Sequence, residues 1–158
     1  MDTSDSNTVV KRVKLDAPLD RVWNAITEST RFGQWFGAEF DGPFIAGQAT
    51  VGRIRPTEVD ARVAALQEPM RGTPMTLYVD TVEPMTRFAF RWNPEPGSEV
   101  LTLVTFELEP TDAGVAVTMT EEGFDQLPDE VKTQRRDGNA EGWEHQGGLL
   151  ARYLEQTA

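Results

Sequence analysis

A chain of 158 residues has the usual size of one domain and can bury about 70% of its unfolded surface without covalent staples. It holds no cysteine, which excludes a disulfide framework, thiolate metal sites and cysteine nucleophiles together. With 26 acidic against 15 basic residues the formal net charge is -11; such a surface repels phosphate backbones and anionic headgroups, so neither nucleic acid nor a membrane is an expected partner.

Met1 to Thr8 are polar and acidic, without the basic and then apolar order of a secretory signal. They offer no aromatic or branched apolar residue to offset ordering, so residues 1–8 are expected to be a disordered tail before a single domain over 9–157. No apolar run reaches membrane-spanning length, and a cytoplasmic location is expected. Val9 to Leu15 alternates, with Val9, Val13 and Leu15 on one face and Arg12 and Lys14 on the other, which predicts a strand ended by Asp16-Ala17-Pro18. Pro18 suits a first helical turn, and Val22, Trp23 and Ile26 follow at helical spacing, so a helix is expected over Pro18 to Glu28. A second short helix is expected over Thr30 to Trp35, with Phe32, Trp35 and Phe36 crowding one side.

From Gly37 to Glu122, short β-type runs alternate with turn residues, and six strands are expected. Their spans are Ala38 to Phe44, Ala49 to Ile54, Met75 to Val82, Arg87 to Trp92, Glu99 to Glu109 and Val115 to Glu121. Loops at Ala46-Gly47, Glu83-Pro84, Asn93 to Ser98 and Thr111 to Gly114 separate them. The long connection from Arg55 to Pro74 shows one weak helical pattern in Val59, Val63 and Leu66, before Pro69. A long helix should then run from Pro128 to about Glu155. At about 100° per residue, Lys132, Asn139, Trp143, Gln146, Leu150, Tyr153 and Leu154 share one face, opposite Glu141, Glu144, Arg152 and Glu155. Its glycines weaken it, so packing on the sheet must hold it; Gly142, near the buried face, gives either close backbone approach or empty volume.

Alternation groups Phe88, Phe90 and Trp92 on one face and Val104, Phe106 and Leu108 on the next strand. Facing Trp143, these aromatics are either ordinary core or the wall of an apolar pocket. If Val117 and Met119 point inward, so does Glu121. Such a carboxylate orients a ligand, acts as a general acid or base, or makes a structural hydrogen bond or an ion pair with Arg135 or Arg136. Asn139 and Gln146 either bond a ligand or satisfy nearby backbone. His145, the single histidine, falls among the charged residues of the helix. Without a second histidine or any cysteine, no zinc site is expected. There is no Gly-x-Ser-x-Gly elbow and no Walker or Rossmann glycine loop, so neither a serine triad nor a nucleotide cofactor is expected.

The order of elements is a strand, two short helices, six strands and a long amphipathic helix. That is the α+β helix-grip plan, a curved seven-stranded antiparallel sheet around the C-terminal helix, as in the birch-pollen-allergen type. The chain resembles the START-like, or SRPBCC, superfamily, in the branch similar to the C-terminal domain of the heat-shock protein 90 ATPase activator. The resemblance is carried by Ala17-Pro18 with Val22-Trp23, the stretch FGQWFG from Phe32 to Gly37, Glu83-Pro84 with Phe88 to Trp92, Glu121 to Phe124, and Asn139 to Trp143. It implies a cavity between helix and sheet that receives a hydrophobic small molecule in many relatives and supports cyclase or dehydratase chemistry in some. It also implies chaperone binding, although the full co-chaperone carries a further N-terminal domain for which these 158 residues have no room.

Three readings follow. The first is a binding module without a cofactor, whose apolar or amphipathic ligand enters beside the Arg55 to Pro74 connection. Its expected contacts are Phe36, Phe90, Trp92, Phe106, Glu121, Asn139, Trp143, Gln146 and Leu150. The second is a chaperone-binding module with an acidic surface. The third is an enzyme in which Glu121 transfers a proton and Asn139 or Gln146 orients the substrate.

Overall fold

A computed structural model describes residues 7–94 and 99–157. Residues 1–6, most of the expected tail, and residues 95–98 of the Asn93 to Ser98 loop lie outside the described residues. Seven strands form one antiparallel sheet: β1 (Thr8–Leu15), β2 (Ala38–Phe40), β3 (Ala49–Ile54), β4 (Pro74–Glu83), β5 (Arg87–Trp92), β6 (Thr102–Thr111) and β7 (Gly114–Glu122). Their spatial order is β1-β7-β6-β5-β4-β3-β2, so each strand after β1 pairs with the next in sequence, β3 and β4 across the long connection, and β1 closes against the last strand. Two short helices, α1 (Leu19–Thr27) and α2 (Ser29–Phe36), follow β1; α3 (Ala61–Gln67) lies in the long connection; and α4 (Asp129–Gln156) crosses the concave face.

β3 and β5 occupy their expected spans, and the remaining differences have local causes. β2 stops at Phe40 instead of running to Phe44, because Pro43 lacks a backbone donor for the ladder. Its carbonyl instead accepts the Thr50 hydroxyl at 2.9 Å, and Phe44 folds inward to stack on Phe88, ring centres 5.4 Å apart. β6 begins at Thr102 rather than Glu99, since Asn93 and Gln126 side chains take the carbonyls of Val100 and Leu101. β1 starts at Thr8, one residue inside the expected tail, where Arg136 of α4 donates twice to the Thr8 carbonyl. In the connection, Asp60 caps α3 by accepting from the backbone of Arg62 and Val63, and Pro69 falls in a 3-10 turn over Glu68–Met70. Leu66, part of the predicted helical pattern, is exposed.

Phe32 centres the core, with Trp35, Phe36, Phe40, Phe44, Phe90 and Phe106 within 6.4 Å of its ring. The Trp35 indole donates to the Ala25 carbonyl at 2.8 Å, which locks α2 onto α1. The long helix is buried unevenly: Trp143, Gly147, Leu149, Leu150, Tyr153 and Leu154 are buried, whereas no residue before Trp143 is. Close backbone approach occurs at Gly147, where an added Cβ would stand 3.2 Å from Met119 Cε. At Gly142 nothing lies within 4 Å, so of the two expectations for that glycine the empty volume is the one present.

Two glycines give a paired test of this packing. An added Cβ at buried Gly33 would stand 2.1 Å from the Ala38 carbonyl oxygen, whereas at exposed Gly148 it would meet nothing. Gly33→Ala is expected to destabilise the fold by about 1–3 kcal/mol through overpacking against backbone. Gly148→Ala should stabilise it by up to about 1 kcal/mol. Urea denaturation of both variants checks the opposite signs.

Candidate functional site

A cavity of about 450 Å³ lies beneath the N-terminal half of α4. Three rings form its inner wall: Phe36 from the end of α2, Trp92 from the end of β5 and Trp143 from α4. They touch one another, with ring centres 5.7 to 6.1 Å apart. Ile54, Met70, Pro74 and Met75, at the two ends of the long connection, supply the opposite apolar side. Gly138 and Gly142 leave the helix surface bare above it, while Asn139, Gln146, Thr73 and Thr76 are polar members of the lining. No charged side chain lines it among the described residues.

Behind the ring wall lies Glu121, with no solvent exposure. Alternation along β7 turns it inward with Val115, Val117 and Met119, all buried. Its Oε2 accepts the Trp92 indole N–H at 2.8 Å and the Thr102 hydroxyl at 2.5 Å, two residues that face each other across β5 and β6. Its Oε1 accepts the Asn139 amide at 3.0 Å and the Trp143 indole N–H at 2.8 Å, from positions one turn apart on α4. One oxygen is thus held by the sheet and the other by the helix. Four donors match the acceptor capacity of a carboxylate, and hydrogen bonds to charged acceptors are the stronger kind.

The lip of the cavity is tied at the Phe36 carbonyl, which accepts from both Gln146 of α4 and Gln67 of α3, each at 3.1 Å. Gln67 also accepts from the Thr57 backbone at 2.8 Å, so it joins the connection to the end of α2. Gly37 then turns with φ 98, a left-handed conformation in which a Cβ would strike the Gln67 side chain. Asp60 pairs with Arg152, and Gln156 donates to the Val59 carbonyl, which fixes the far end of the connection against α4.

Of the expected contact residues, Phe36, Trp92, Asn139, Trp143 and Gln146 lie together on the cavity lining. Phe90, Phe106 and Leu150 are fully buried and sit in the core beneath it. Glu121 sits behind the wall instead of on it. Its four partners are neutral, so of the two structural alternatives, a hydrogen bond or an ion pair with Arg135 or Arg136, the hydrogen-bonded one is present; Arg136 is drawn to the Thr8 carbonyl and Asp137 at the sheet edge. With all four acceptor positions engaged, Glu121 takes a substrate proton only by releasing part of the wall. Met70, Met75 and Gln67 carry no such signal in the sequence, because they lie in a 3-10 turn, near the start of β4 and at the last residue of a short helix, where too little periodic pattern runs through them to reveal what they face. His145 is half exposed on the outer side of α4, within 4.0 Å of Glu141.

The sequence pattern of the family described as Activator of Hsp90 ATPase homolog 1-like protein matches residues 16–155. Among curated proteins no match is found. Among solved structures, the chain is similar to DynU16, a protein of the dynemicin biosynthetic locus, at 28% identity and a TM-score of 0.70, over 96% of this chain and 48% of that one. The chain therefore spans about half the length of DynU16. It is similar in fold to a Mesorhizobium loti protein at 22% identity and TM-score 0.71, covering 96% and 98% of the two chains. It is likewise similar in fold to the Aha1 dimer of Colwellia psychrerythraea at 16% identity and TM-score 0.68, covering 94% and 96%.

Glu121→Gln replaces one acceptor oxygen by a donor that must face two donors. The expected loss is about 2–4 kcal/mol of stability, from two N–H or O–H groups left unpaired. Urea denaturation followed by tryptophan emission measures it, and the folded-state emission should shift as an indole loses its partner. A variant as stable as the parent would contradict the four-donor arrangement.

Proposed function

The chain belongs to the Activator of Hsp90 ATPase homolog 1-like family, and from that premise we propose that it binds an apolar or amphipathic small molecule in the cavity between the sheet and α4. The observation that carries this reading is a cavity of about 450 Å³ walled by Phe36, Trp92 and Trp143. Small-molecule sites typically enclose roughly 300–1,000 Å³ with aromatic walls and a few placed polar groups. The wall is built in advance, because Glu121 fixes both indoles before any ligand arrives, and preorganisation lowers the ordering cost of binding. The ligand enters between α4 and the Met70 to Thr76 end of the connection. The location of DynU16 in a biosynthetic locus supports an organic metabolite as the class of ligand. Proton transfer by Glu121 is the less favoured use of the same site, since its lone pairs are already occupied by the wall. Chaperone binding rests on kinship with the family rather than on a feature of this cavity.

A panel of aromatics, sterols, fatty acids and polyketide-like compounds tests the reading. A ligand in the cavity is expected to change tryptophan emission and to raise the melting temperature with concentration. Gly142→Leu should fold with equal or greater thermal stability, because its side chain enters open volume on a helix that gains a better former. The same variant should lose the ligand response by filling the cavity. A parent protein unmoved by the whole panel, or a Gly142→Leu variant that binds as before, would sink the proposal.

A further inference from the structure

The four hydrogen bonds on Glu121 hold a negative charge without cancelling it. Trp92, Thr102, Asn139 and Trp143 are all neutral donors, so the charge persists directly behind the ring wall, in buried surroundings where its field is weakly screened. Two of those donors are the indoles of the wall itself. Drawing an indole N–H towards an anion polarises the ring, and the face of an aromatic ring is already its negative part. Trp92 is half-buried whereas Trp143 is buried, so the Trp92 ring is the one a ligand meets more fully.

The lining does not oppose that polarity. Its polar members among the described residues, Thr73, Thr76, Asn93, Asn139 and Gln146, are neutral, and no lysine, arginine or histidine joins them. The N-terminal end of α4, where a helix carries its positive pole, opens with Asp129 and Glu130. Of the cations on that stretch, Lys132 pairs with Asp129 and Arg136 with Asp137. The whole chain carries a formal charge of -11, which draws cations in and turns anions away. An anion entering the cavity would give up hydration close to a buried negative charge. A cation on an apolar body would instead meet aromatic surface that attracts it, tryptophan most of all.

We infer that the cavity takes an amphipathic organic ammonium, an apolar body with one cationic nitrogen set against Trp92, in preference to a neutral or acidic molecule on the same frame. This inference rests on the binding reading and goes beyond it by assigning the ligand's charge.

Three compounds on one frame provide the test by calorimetry at neutral pH: 2-naphthylmethylammonium, 2-naphthalenemethanol and 2-naphthoate. The ammonium is expected to bind roughly 3- to 30-fold more tightly than the alcohol, the range for a cation over tryptophan. The naphthoate should be the weakest of the three. Repeating the series in about 0.5 M KCl separates the cavity from the diffuse surface charge, because exposed charges are then screened within a few ångströms and buried ones much less. The preference for the ammonium should survive that salt. In Glu121→Gln, which removes the charge behind the wall, the ratio of ammonium to alcohol affinity should fall by about 3-fold or more. Alcohol or naphthoate binding as tightly as the ammonium overturns the inference and leaves the binding reading standing. A preference abolished by salt belongs to the protein's surface and overturns it as well. An unchanged ratio in Glu121→Gln, with a circular dichroism spectrum like the parent's, overturns the part given to the carboxylate. Absence of binding by all three removes this inference together with the cavity reading. Should the variant not fold, the parent series and its salt dependence decide.

Discussion

Everything around the cavity depends on a buried carboxylate held by four neutral donors. Removing Glu121 from water is expensive, and the structure offsets that cost only when Trp92, Thr102, Asn139 and Trp143 arrive together. Those donors come from β5, β6 and α4, so the requirement acts as a register constraint. Slipping β5 by one residue would turn Trp92 outward. Rotating α4 by a quarter turn would take Asn139 and Trp143 away together. Hydrophobic burial brings sheet and helix into contact but is indifferent to small rotations. The directional bonds to Glu121 select one orientation among them.

A second consequence is a division of labour along the concave face. Phe32, Phe90 and Phe106 form a closed aromatic core with α1 and α2, while Phe36, Trp92 and Trp143 stand at its border with the cavity. Both groups pack edge to face or tilted, at separations suited to the ring quadrupole. The difference is that the indoles at the border carry a polar handle and use it inward, leaving their apolar faces for the cavity. Phenylalanine in either place would leave one carboxylate lone pair unfilled. The opposite wall is looser in construction, with Met70 and Met75 supplying adaptable surface and Gln67 carrying the tie to the rest of the fold.

Much of this was legible in the sequence where a period was present to be read. The alternation of β3 and β5 set their spans, the helical period put Asn139, Trp143 and Gln146 on one face, and alternation along β7 turned Glu121 inward. Its partners were less accessible. Trp92 and Thr102 are 29 and 19 positions away, and nothing local ties them to one oxygen. Of the two structural alternatives for Glu121, the ion pair with an arginine follows a general preference for opposite charge, and neutral donors at the right geometry make the hydrogen-bonded one instead. Alternation also groups Phe90 with Trp92 but tells nothing of depth along the strand: Phe90 lies over the core and Trp92 over the cavity, one pleat apart. The connection was the least legible segment, because Gln67 acts through a side chain that bridges backbone groups and leaves no repeating pattern.

The uneven burial of α4 has a meaning for how such a protein changes over time. Its C-terminal half, from Trp143 onward, is bound into the core, and substitutions at its buried positions disturb folding. Its N-terminal half is tied by Asn139 and Arg136, rests Val131 and Ala140 against the core, and at Gly138 and Gly142 overhangs open volume. Gly138 and Gly142 meet no neighbouring atom, so side chains of many sizes fit there without displacing anything. The open roof of the cavity and the main anchor of the core therefore lie largely on different stretches of one helix. A lineage can reshape the cavity by drifting at the overhang, while the same buried carboxylate continues to hold helix and sheet in place.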